Sequence, residues 1–173
     1  MSSERAYIGI GSNLGDRIEH CKRAIGAVAG LPGVTAVVVS SLYESAPVPP
    51  ASGRWFVNGV MSIDTTLPPG ALFAELQRIE QAMGRQAARA RGEDRTIDLD
   101  MLLVGSRIMD GPDLILPHPR LHRRRFVLVP LCELAPDHRH PILGLTMREL
   151  LGRLDDPSAV RPLEAAGRLV PTT

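Results

Sequence analysis

Residues 34–64 read VTAVVVSSLYESAPVPPASGRWFVNGVMSID, and this segment gives the strongest indication of the fold. Residues 34–43 are rich in β-branched side chains, 56–64 can form a further strand, and the proline-rich residues 46–53 predict a loop. Parallel neighbours in a sheet need a long crossover, usually a helix, and none is predicted between these two strands. The segment therefore favours a mostly antiparallel sheet over a doubly wound parallel one.

The flanking patterns add helices and further strands. Strands are predicted at 6–10, 96–104 and 107–109. Helices are predicted from 15–16, from 68–70 through 83, within 117–136, and after the capping-box residues Thr146 and Glu149. The residues beyond 155 are weakly patterned. The order strand, helix, two strands, helix, strand predicts an α+β sandwich with helices packed on the sheet.

Composition limits the functional classes. The chain has 173 residues, 44% of them apolar, which fits a single catalytic domain over 1–173 with its own core. A net charge of +1 argues against a general nucleic-acid or membrane surface, and no segment reaches the length of a membrane span. Cys21 and Cys132 have no metal-ligand spacing and predict buried free thiols in a reducing compartment, so a cytoplasmic location is expected.

The strand predicted at 96–104 carries two carboxylates. Asp98 and Asp100 alternate with Leu99, Met101 and Leu103, so the acids are expected on one face and the apolar side chains in the core. Neighbouring carboxylates repel each other unless a cation lies between them, and Mg²⁺ takes one or two carboxylates together with phosphate oxygens and water. A polar strand face open to water explains the same pattern equally well.

Arginines flank this strand in the sequence. The two clusters are Arg85, Arg89, Arg91 and Arg95 before it, and Arg120, Arg123, Arg124 and Arg125 after it. Guanidinium groups beside paired carboxylates suit a metal–triphosphate complex, because the acids hold the metal and the arginines neutralise phosphate charge. The alternative is salt bridging between these acids and arginines without a ligand. Phosphate binding is the favoured hypothesis.

Three other features are less informative by themselves. Residues 11–13, Gly-Ser-Asn, follow a strand and open a helix, where amides can bind an anion, but a simple turn and helix cap is the commoner explanation. His118 lies between two prolines near the second arginine cluster, which fits a phosphate contact as well as a structural role. Phe56 and Phe126 lie beside polar segments, and from the residues alone a place in the core is preferred.

Four phrases of the sequence resemble the 6-hydroxymethyl-7,8-dihydropterin pyrophosphokinase family. They are YIGIGSNLGD (7–16), FVNGV (56–60), RTIDLDMLLVG (95–105) and LPHPRLHRRRFVLVPLCELAP (116–136), in the family's order across roughly residues 6–155. The resemblance implies a ferredoxin-like α+β fold and a monomer. It also implies transfer of a diphosphate from ATP to the hydroxymethyl group of 6-hydroxymethyl-7,8-dihydropterin, with release of AMP, in folate synthesis.

The resemblance implies roles for individual residues. Asp98 and Asp100 match the pair that holds two Mg²⁺ ions between ATP and the pterin. The implied pterin contacts are the rings of Phe56 and Phe126, the side chain of Asn58, and backbone near Ser45, Ala46 and Val48. The implied ATP contacts are Glu80, Arg85, Arg91, Arg95, Ile97, His118 and Arg124, of which Arg85, Arg95 and Arg124 match phosphate-binding or catalytic arginines.

The sequence departs from the family's common pattern at one place. Many members have Arg-Trp-Gly-Pro-Arg where this chain has Arg91-Gly92-Glu93-Asp94-Arg95, so the tryptophan that helps to seal the closed site is absent.

Two other functions fit the residues without the resemblance. One is a nucleotidyltransferase-like enzyme, which also uses paired aspartates but attacks the α-phosphorus and releases pyrophosphate. The other is a non-enzymatic α+β ligand-binding module that needs neither the aspartates nor the arginines.

Overall fold

The computed structural model describes residues 2–47, 53–84 and 94–163 of the chain. Within these residues the strands are β1 Glu4–Ser12, β2 Val34–Val39, β3 Tyr43–Ser45, β4 Phe56–Thr65, β5 Asp98–Val104, β6 Met109–Asp110, β7 Ile115–Leu116 and β8 Val160–Pro162. The helices are α1 Arg17–Ala29, α2 Pro69–Ala82, α3 Arg125–Leu134 and α4 Met147–Arg153, with a 3-10 turn at Leu121–Arg123.

Every strand pair of the main sheet is antiparallel. Strand β1 lies between β4 and β5, and the other edge of β4 pairs with β3 at its start and with β2 towards its end. Strand β8 extends the sheet beyond β3, and β6 and β7 form a separate two-stranded sheet. The strand order β5-β1-β4-β2, with α1 and α2 as connections, is the ferredoxin-like arrangement, so the predicted α+β class is confirmed.

Helices cover both faces of the sheet. Helices α1 and α2 pack on one face, where side chains such as Ile8, Met61 and Leu76 form the larger core. Helices α3 and α4 pack on the other face, which we call the α3 face, around a second core that includes Val60 and Leu128. No helix among the described residues is long and apolar enough to cross a bilayer.

The predicted ends of several helices are confirmed by their capping contacts. Asp16 caps α1 by accepting a hydrogen bond from the Glu19 amide at 3.1 Å. Helix α4 begins with the predicted capping box, in which Thr146 and Glu149 each accept a hydrogen bond from the other's backbone amide. Gly84 follows α2 with a φ of 95°, a conformation that glycine adopts without strain.

Two sequence predictions about strands are wrong, and one further strand was not predicted. Residues 34–43 do not form one strand. The Ser40 amide donates to the Val60 carbonyl, but the Val60 amide donates to the Ser40 side-chain oxygen instead of to a backbone carbonyl. The chain therefore leaves the ladder after β2, and β3 begins only at Tyr43. The strand predicted at 107–109 is shifted to Met109–Asp110, where it pairs with β7. The weakly patterned residues beyond 155 contribute β8, which gains its partners from β3.

A bulge in β5 corrects the predicted orientation of one core residue. Tyr7 pairs with Leu103 but Ile8 pairs with Met101, so Leu102 is an extra residue in β5. Leu99 and Met101 lie in the core beneath α1 and α2, as predicted. Leu103 lies instead in the core of the α3 face, because the bulge shifts the alternation by one position.

The two thiols differ in burial. Cys21 on α1 is buried and Cys132 on α3 is partly buried, and both are free. Burial raises the pKa of Cys21 to about 12, so this thiol packs as a small apolar side chain.

Replacing Leu128 with alanine is expected to destabilise the protein by about 2–5 kcal/mol, because the side chain is fully buried in the core of the α3 face and its loss leaves a cavity. Urea unfolding followed by circular dichroism measures this change. Ile142→Ala is the control: that side chain is 63% exposed, and its loss should cost within about 0.5 kcal/mol. Equal effects of the two substitutions would contradict the assignment of the core.

Candidate active site

The first residues of β5 lie opposite two glycines of β1. The strand registers form two rows across the sheet, Asp98–Gly11–Asn58 and Asp100–Gly9–Val60. Residues directly opposite one another on neighbouring strands project from the same face of a sheet. Because Val60 belongs to the core of the α3 face, both carboxylates and Asn58 project from that face as well.

The glycines leave the surface between the acids and Asn58 free of side chains. A Cβ atom at Gly11 would lie 3.1 Å from Asn58 Oδ1, closer than ordinary packing allows. A Cβ atom at Gly9 would make an ordinary contact of 3.5 Å with Leu102. The sheet surface at Gly9 and Gly11 therefore carries no side chain of β1. We call this surface the slot over Gly11, with the acids on one side and the Asn58 amide on the other.

Asn58 is held in one orientation at the edge of this slot. It is 5% exposed, and its Nδ2 donates to Oγ of Ser45, which is itself 2% exposed. The amide oxygen is therefore the end that lies over Gly11. Since the Ser45 hydroxyl accepts this bond, its own hydrogen remains available as a donor.

Two arginines approach the carboxylates from different parts of the chain. Arg95 Nη1 lies 2.8 Å from Asp98 Oδ2, and Arg124 Nη1 lies 3.7 Å from Asp100 Oδ2. The Arg124 guanidinium also lies 5.5 Å from the ring centroid of Phe126. The structure thus brings residues near 95–100 and near 124–126 together, and their role in binding phosphate stays a prediction.

The charge balance around Arg124 favours an anion. Burial and the positive charge of Arg120 lower the pKa of Arg124, whereas Asp100 and Asp98 raise it. The two guanidinium groups repel each other where solvent screening is reduced. An anionic ligand placed between them would relieve this repulsion, which suits a phosphate group.

His118 is fixed by two backbone contacts beside these charges. Its amide donates to the carbonyl of Leu102 at 2.9 Å, and its Nδ1 accepts from the Arg120 amide at 3.1 Å. Burial, together with Arg124 and Arg120, lowers the pKa of His118 to about 4, and Asp98 opposes this shift. The neutral ring therefore carries its proton on Nε2, which makes that nitrogen a donor for a phosphate oxygen.

The two phenylalanines lie at the border of the site. Phe56 is the first residue of β4 and shares the α3 face with Asn58, two positions later; its side chain is partly exposed and belongs to neither core cluster. Phe126 lies in the first turn of α3 and packs, partly buried, against the core of the α3 face. The core placement preferred from the residues alone is therefore wrong for Phe56 and only partly right for Phe126.

Three of the residues predicted to bind substrates already use their side chain or their amide in contacts within the protein. The Ile97 side chain is fully buried beneath α1 and α2, so only its backbone could contact a nucleotide. Glu80 is 5% exposed and accepts a hydrogen bond from the Leu99 amide at 2.6 Å, which supports the strand that carries the acids. The Ala46 amide donates to the Ala159 carbonyl. The predicted residues Val48, Arg85 and Arg91 lie outside the described residues.

Two features of the site are absent from the predicted site residues. Arg120 belongs only to a predicted basic cluster, but in the structure it lies beside His118, to whose Nδ1 its amide donates, with a 3-10 turn between Arg120 and Arg124. The slot over Gly11 was also missed, although Gly9 and Gly11 alternate along a strand. Two glycines spaced by two in a strand leave a gap on one face, and this signal was present in the sequence.

The donor set fits Mg²⁺. The side chains of Asp98 and Asp100 are 22% and 38% exposed, so a ligand can reach both. Among the described residues no group of three or more histidine, cysteine or acidic side chains could hold a metal. Two carboxylates suit an ion that completes its coordination with phosphate oxygens and water.

The chain is similar to a family of pyrophosphokinases that is named for a pterin. It matches the sequence model of the 7,8-dihydro-6-hydroxymethylpterin-pyrophosphokinase (HPPK) family over residues 7–136. It is 43% identical over 166 residues to the 2-amino-4-hydroxy-6-hydroxymethyldihydropteridine pyrophosphokinase of Pseudomonas aeruginosa, covering 96% of this chain and 97% of that protein. The protein of the same description from Haemophilus influenzae is 45% identical over 132 residues, which are 76% of this chain and 82% of that protein.

The fold is also similar to solved structures. The wild-type HPPK-DHPS of Plasmodium falciparum with pteroate has a TM-score of 0.70 at 13% identity, covering 87% of this chain. The matched part is 44% of that chain, so this protein spans less than half of its length. At this level of identity the likeness shows the fold alone.

His118 is expected to titrate near pH 4 in the folded protein, because burial, Arg124 and Arg120 all oppose its protonation. The chemical shift of its ring protons as a function of pH measures this value. Between about pH 4 and the ordinary value of 6.5 the unfolded chain binds this proton more readily than the folded protein. The contribution of His118 to stability therefore rises with pH across that window and is complete above it.

His118→Asn is the control for this linkage. The difference in unfolding free energy between the wild type and this variant should depend on pH between about 4 and 6.5 and should be constant above that range. A His118 pKa at or above 6.5 would contradict the placement of the ring.

Proposed function

The chain belongs to the 7,8-dihydro-6-hydroxymethylpterin-pyrophosphokinase family, and on this basis we propose that its substrates bind and react on the α3 face. It is a pyrophosphokinase of folate biosynthesis that transfers diphosphate to the hydroxymethylpterin. The side chains assigned to the reaction are Asp98, Asp100, Arg95, Arg124 and His118. The observation that carries this assignment is the pairing of each acid with an arginine beside the slot over Gly11.

We assign ATP as the donor and Asp98 and Asp100 as the ligands of Mg²⁺, with two ions expected when ATP is bound. Mg²⁺ held there would neutralise phosphate charge and lower the pKa of the attacking hydroxyl. Arg95 and Arg124 already lie at these acids, so both stay within reach of phosphate oxygens bound beside them. The neutral His118 donates from Nε2 and adds a hydrogen bond without a further positive charge.

The pterin is assigned to the slot over Gly11. The Asn58 amide and the Ser45 hydroxyl offer hydrogen bonds at its edge, and Phe56 and Phe126 offer aromatic surface beside it. An aromatic heterocycle gains from stacking on such rings, whereas the absence of side chains at Gly9 and Gly11 gives it space. If the edge of the pterin binds Asn58, its hydroxymethyl group points towards the acids, because Asp98 lies on the opposite side of Gly11 in the same row.

The reaction assigned to this arrangement is an in-line displacement. The hydroxymethyl oxygen attacks the β-phosphorus of ATP and its proton passes to the Asp98 carboxylate. The bond from the β-phosphorus to the oxygen that bridges to the α-phosphate breaks, and AMP leaves with that oxygen. Positioning of the two substrates and neutralisation of charge by Arg95 and Arg124 supply most of the rate acceleration.

We expect the chain to act as a single catalytic domain, as a monomer, and in the cytoplasm. Of the two alternatives, nucleotidyl transfer predicts pyrophosphate as a product, and the ligand-binding module predicts no turnover. The family assignment favours diphosphate transfer over both.

Asp98→Ala and Asp100→Ala are each expected to lower turnover by about 10³-fold or more while the fold is retained, because each removes a ligand of the Mg²⁺ that would neutralise the phosphate charge. The assay incubates the protein with ATP, Mg²⁺ and 6-hydroxymethyl-7,8-dihydropterin and identifies both products. AMP and a pterin diphosphate are expected from the wild type, and free pyrophosphate would indicate nucleotidyl transfer instead. Asp110→Ala, on the separate two-stranded sheet, is the control. Near-wild-type rates for both site variants would contradict the assignment.

Gly11→Ala is expected to raise the KM for the pterin by about tenfold, equivalent to about 1.4 kcal/mol, with a smaller change in kcat. The added methyl group would lie 3.1 Å from Asn58 Oδ1 and would displace the amide that borders the slot. Gly26→Ala is the control, since this glycine lies on α1, away from the slot, and nothing lies within 4 Å of its added Cβ atom. Steady-state kinetics of the two variants measure the difference. An unchanged KM in Gly11→Ala would place the pterin elsewhere.

A further inference from the structure

The turn after β1 contains a buried polar side chain that the proposed reaction does not use. Asn13 is 4% exposed, and it follows the last residue of β1. From the sequence, the commoner explanation of the Gly-Ser-Asn segment at 11–13 is a turn and helix cap. Asp16, however, is the residue that caps α1, so capping does not account for Asn13.

Asn13 makes three hydrogen bonds to the two residues at 94–95. Its backbone amide donates to the Arg95 carbonyl at 3.1 Å, and its Oδ1 accepts from the Arg95 amide at 2.6 Å. Its Nδ2 donates to Asp94 Oδ1 at 2.9 Å. Both backbone groups of Arg95 are therefore bonded to one residue that lies 82 positions earlier in the chain.

These hydrogen bonds hold the backbone of Arg95, which the β-sheet does not reach. The β1–β5 ladder ends at the pair Gly11 and Asp98, so Arg95 lies outside it. An arginine side chain has many rotamers, and a fixed backbone removes part of the entropy that is lost when its guanidinium is held in place. The Arg95 guanidinium bonds Asp98 at 2.8 Å, so the position of its backbone is transmitted to a carboxylate of the site.

We propose that Asn13 is a positioning residue for the transfer reaction, which fixes the Arg95 backbone so that its guanidinium meets Asp98 and the bound phosphates. This inference rests on the function proposed for Arg95 and Asp98. Asn13 contacts neither substrate nor the reacting atoms in this assignment. It acts through Arg95.

The side chain must be an amide for this role. One end has to accept from the Arg95 amide and the other has to donate to the Asp94 carboxylate, and only asparagine offers both groups at this length. An aspartate at position 13 keeps the acceptor but places a second carboxylate against Asp94. One of the three hydrogen bonds between residue 13 and residues 94–95 would then be lost, and the two carboxylates would repel each other.

A swap of the donor and the acceptor tests this geometry. Asn13→Asp is expected to lower kcat by about 10- to 100-fold with little change in the KM for the pterin, because a small displacement of a charged group has a large effect on rate. Asp94→Asn keeps an oxygen for Asn13 and should stay near wild type. In the double variant Asn13→Asp/Asp94→Asn the new amide can donate to the new carboxylate, so kcat should recover most of the loss.

A double-mutant cycle with Arg95→Ala separates positioning from general destabilisation. If Asn13 acts through Arg95, then Asn13→Asp should cause little further loss of kcat in the Arg95→Ala background. Melting temperatures of all variants report whether the fold is retained. An equal loss in both backgrounds would overturn the proposal, and so would the absence of recovery in the swapped variant.

The outcomes distinguish this inference from the function on which it rests. An impaired Arg95→Ala variant together with a fully active Asn13→Asp variant would refute the role of Asn13 and leave the proposed function intact. A fully active Arg95→Ala variant would refute the assignment of Arg95 itself, and the role of Asn13 with it.

Discussion

The register of β1 between β4 and β5 is the constraint on which the site depends. Ile8 and Ile10 of β1, like Leu99 and Met101 of β5, lie in the core beneath α1 and α2. A slip of one residue would turn the acids of β5 into that core, where unpaired carboxylates cost far more than any apolar contact could offset. Apolar burial on one face thus determines which polar groups stand together on the other.

Burial also shapes the electrostatics of the exposed face. Arg124 is desolvated beside Arg120, and the acids of β5 only partly compensate for this positive charge. His118 stays neutral because burial, and then the positive charges of Arg124 and Arg120, lower the pKa of its ring. The folded protein therefore holds positive charges close together, and a bound phosphate group would stabilise them. Folding meets the cost of this arrangement in advance, so that more of the interaction energy is available for binding.

Local patterns in the sequence were sufficient for much of this structure. The alternation in 96–104 predicted that Asp98 and Asp100 share a face, and the spacing of Thr146 and Glu149 predicted a capping box. The break after β2 and the additional strand β8, which were missed, depend on partners far away in the chain. The break at Ser40 requires Val60, and β8 requires β3. No periodicity in a single segment contains such information, so these features had to come from the tertiary structure.

Polar contacts from outside the ladder hold strands β5 and β3, which carry the acids and the hydrogen-bond partner of Asn58. Glu80 of α2 binds the Leu99 amide, and Asn13 binds the Arg95 backbone, so the start of β5 is fixed from both sides. Glu133 of α3 accepts hydrogen bonds from the Ser41 amide and the Tyr43 hydroxyl, which ties the start of β3 to the helix that carries Phe126. The same β3 supplies the partner of Asn58. Helix α3 therefore contributes to the site twice, through a ring at its first turn and through a carboxylate near its end.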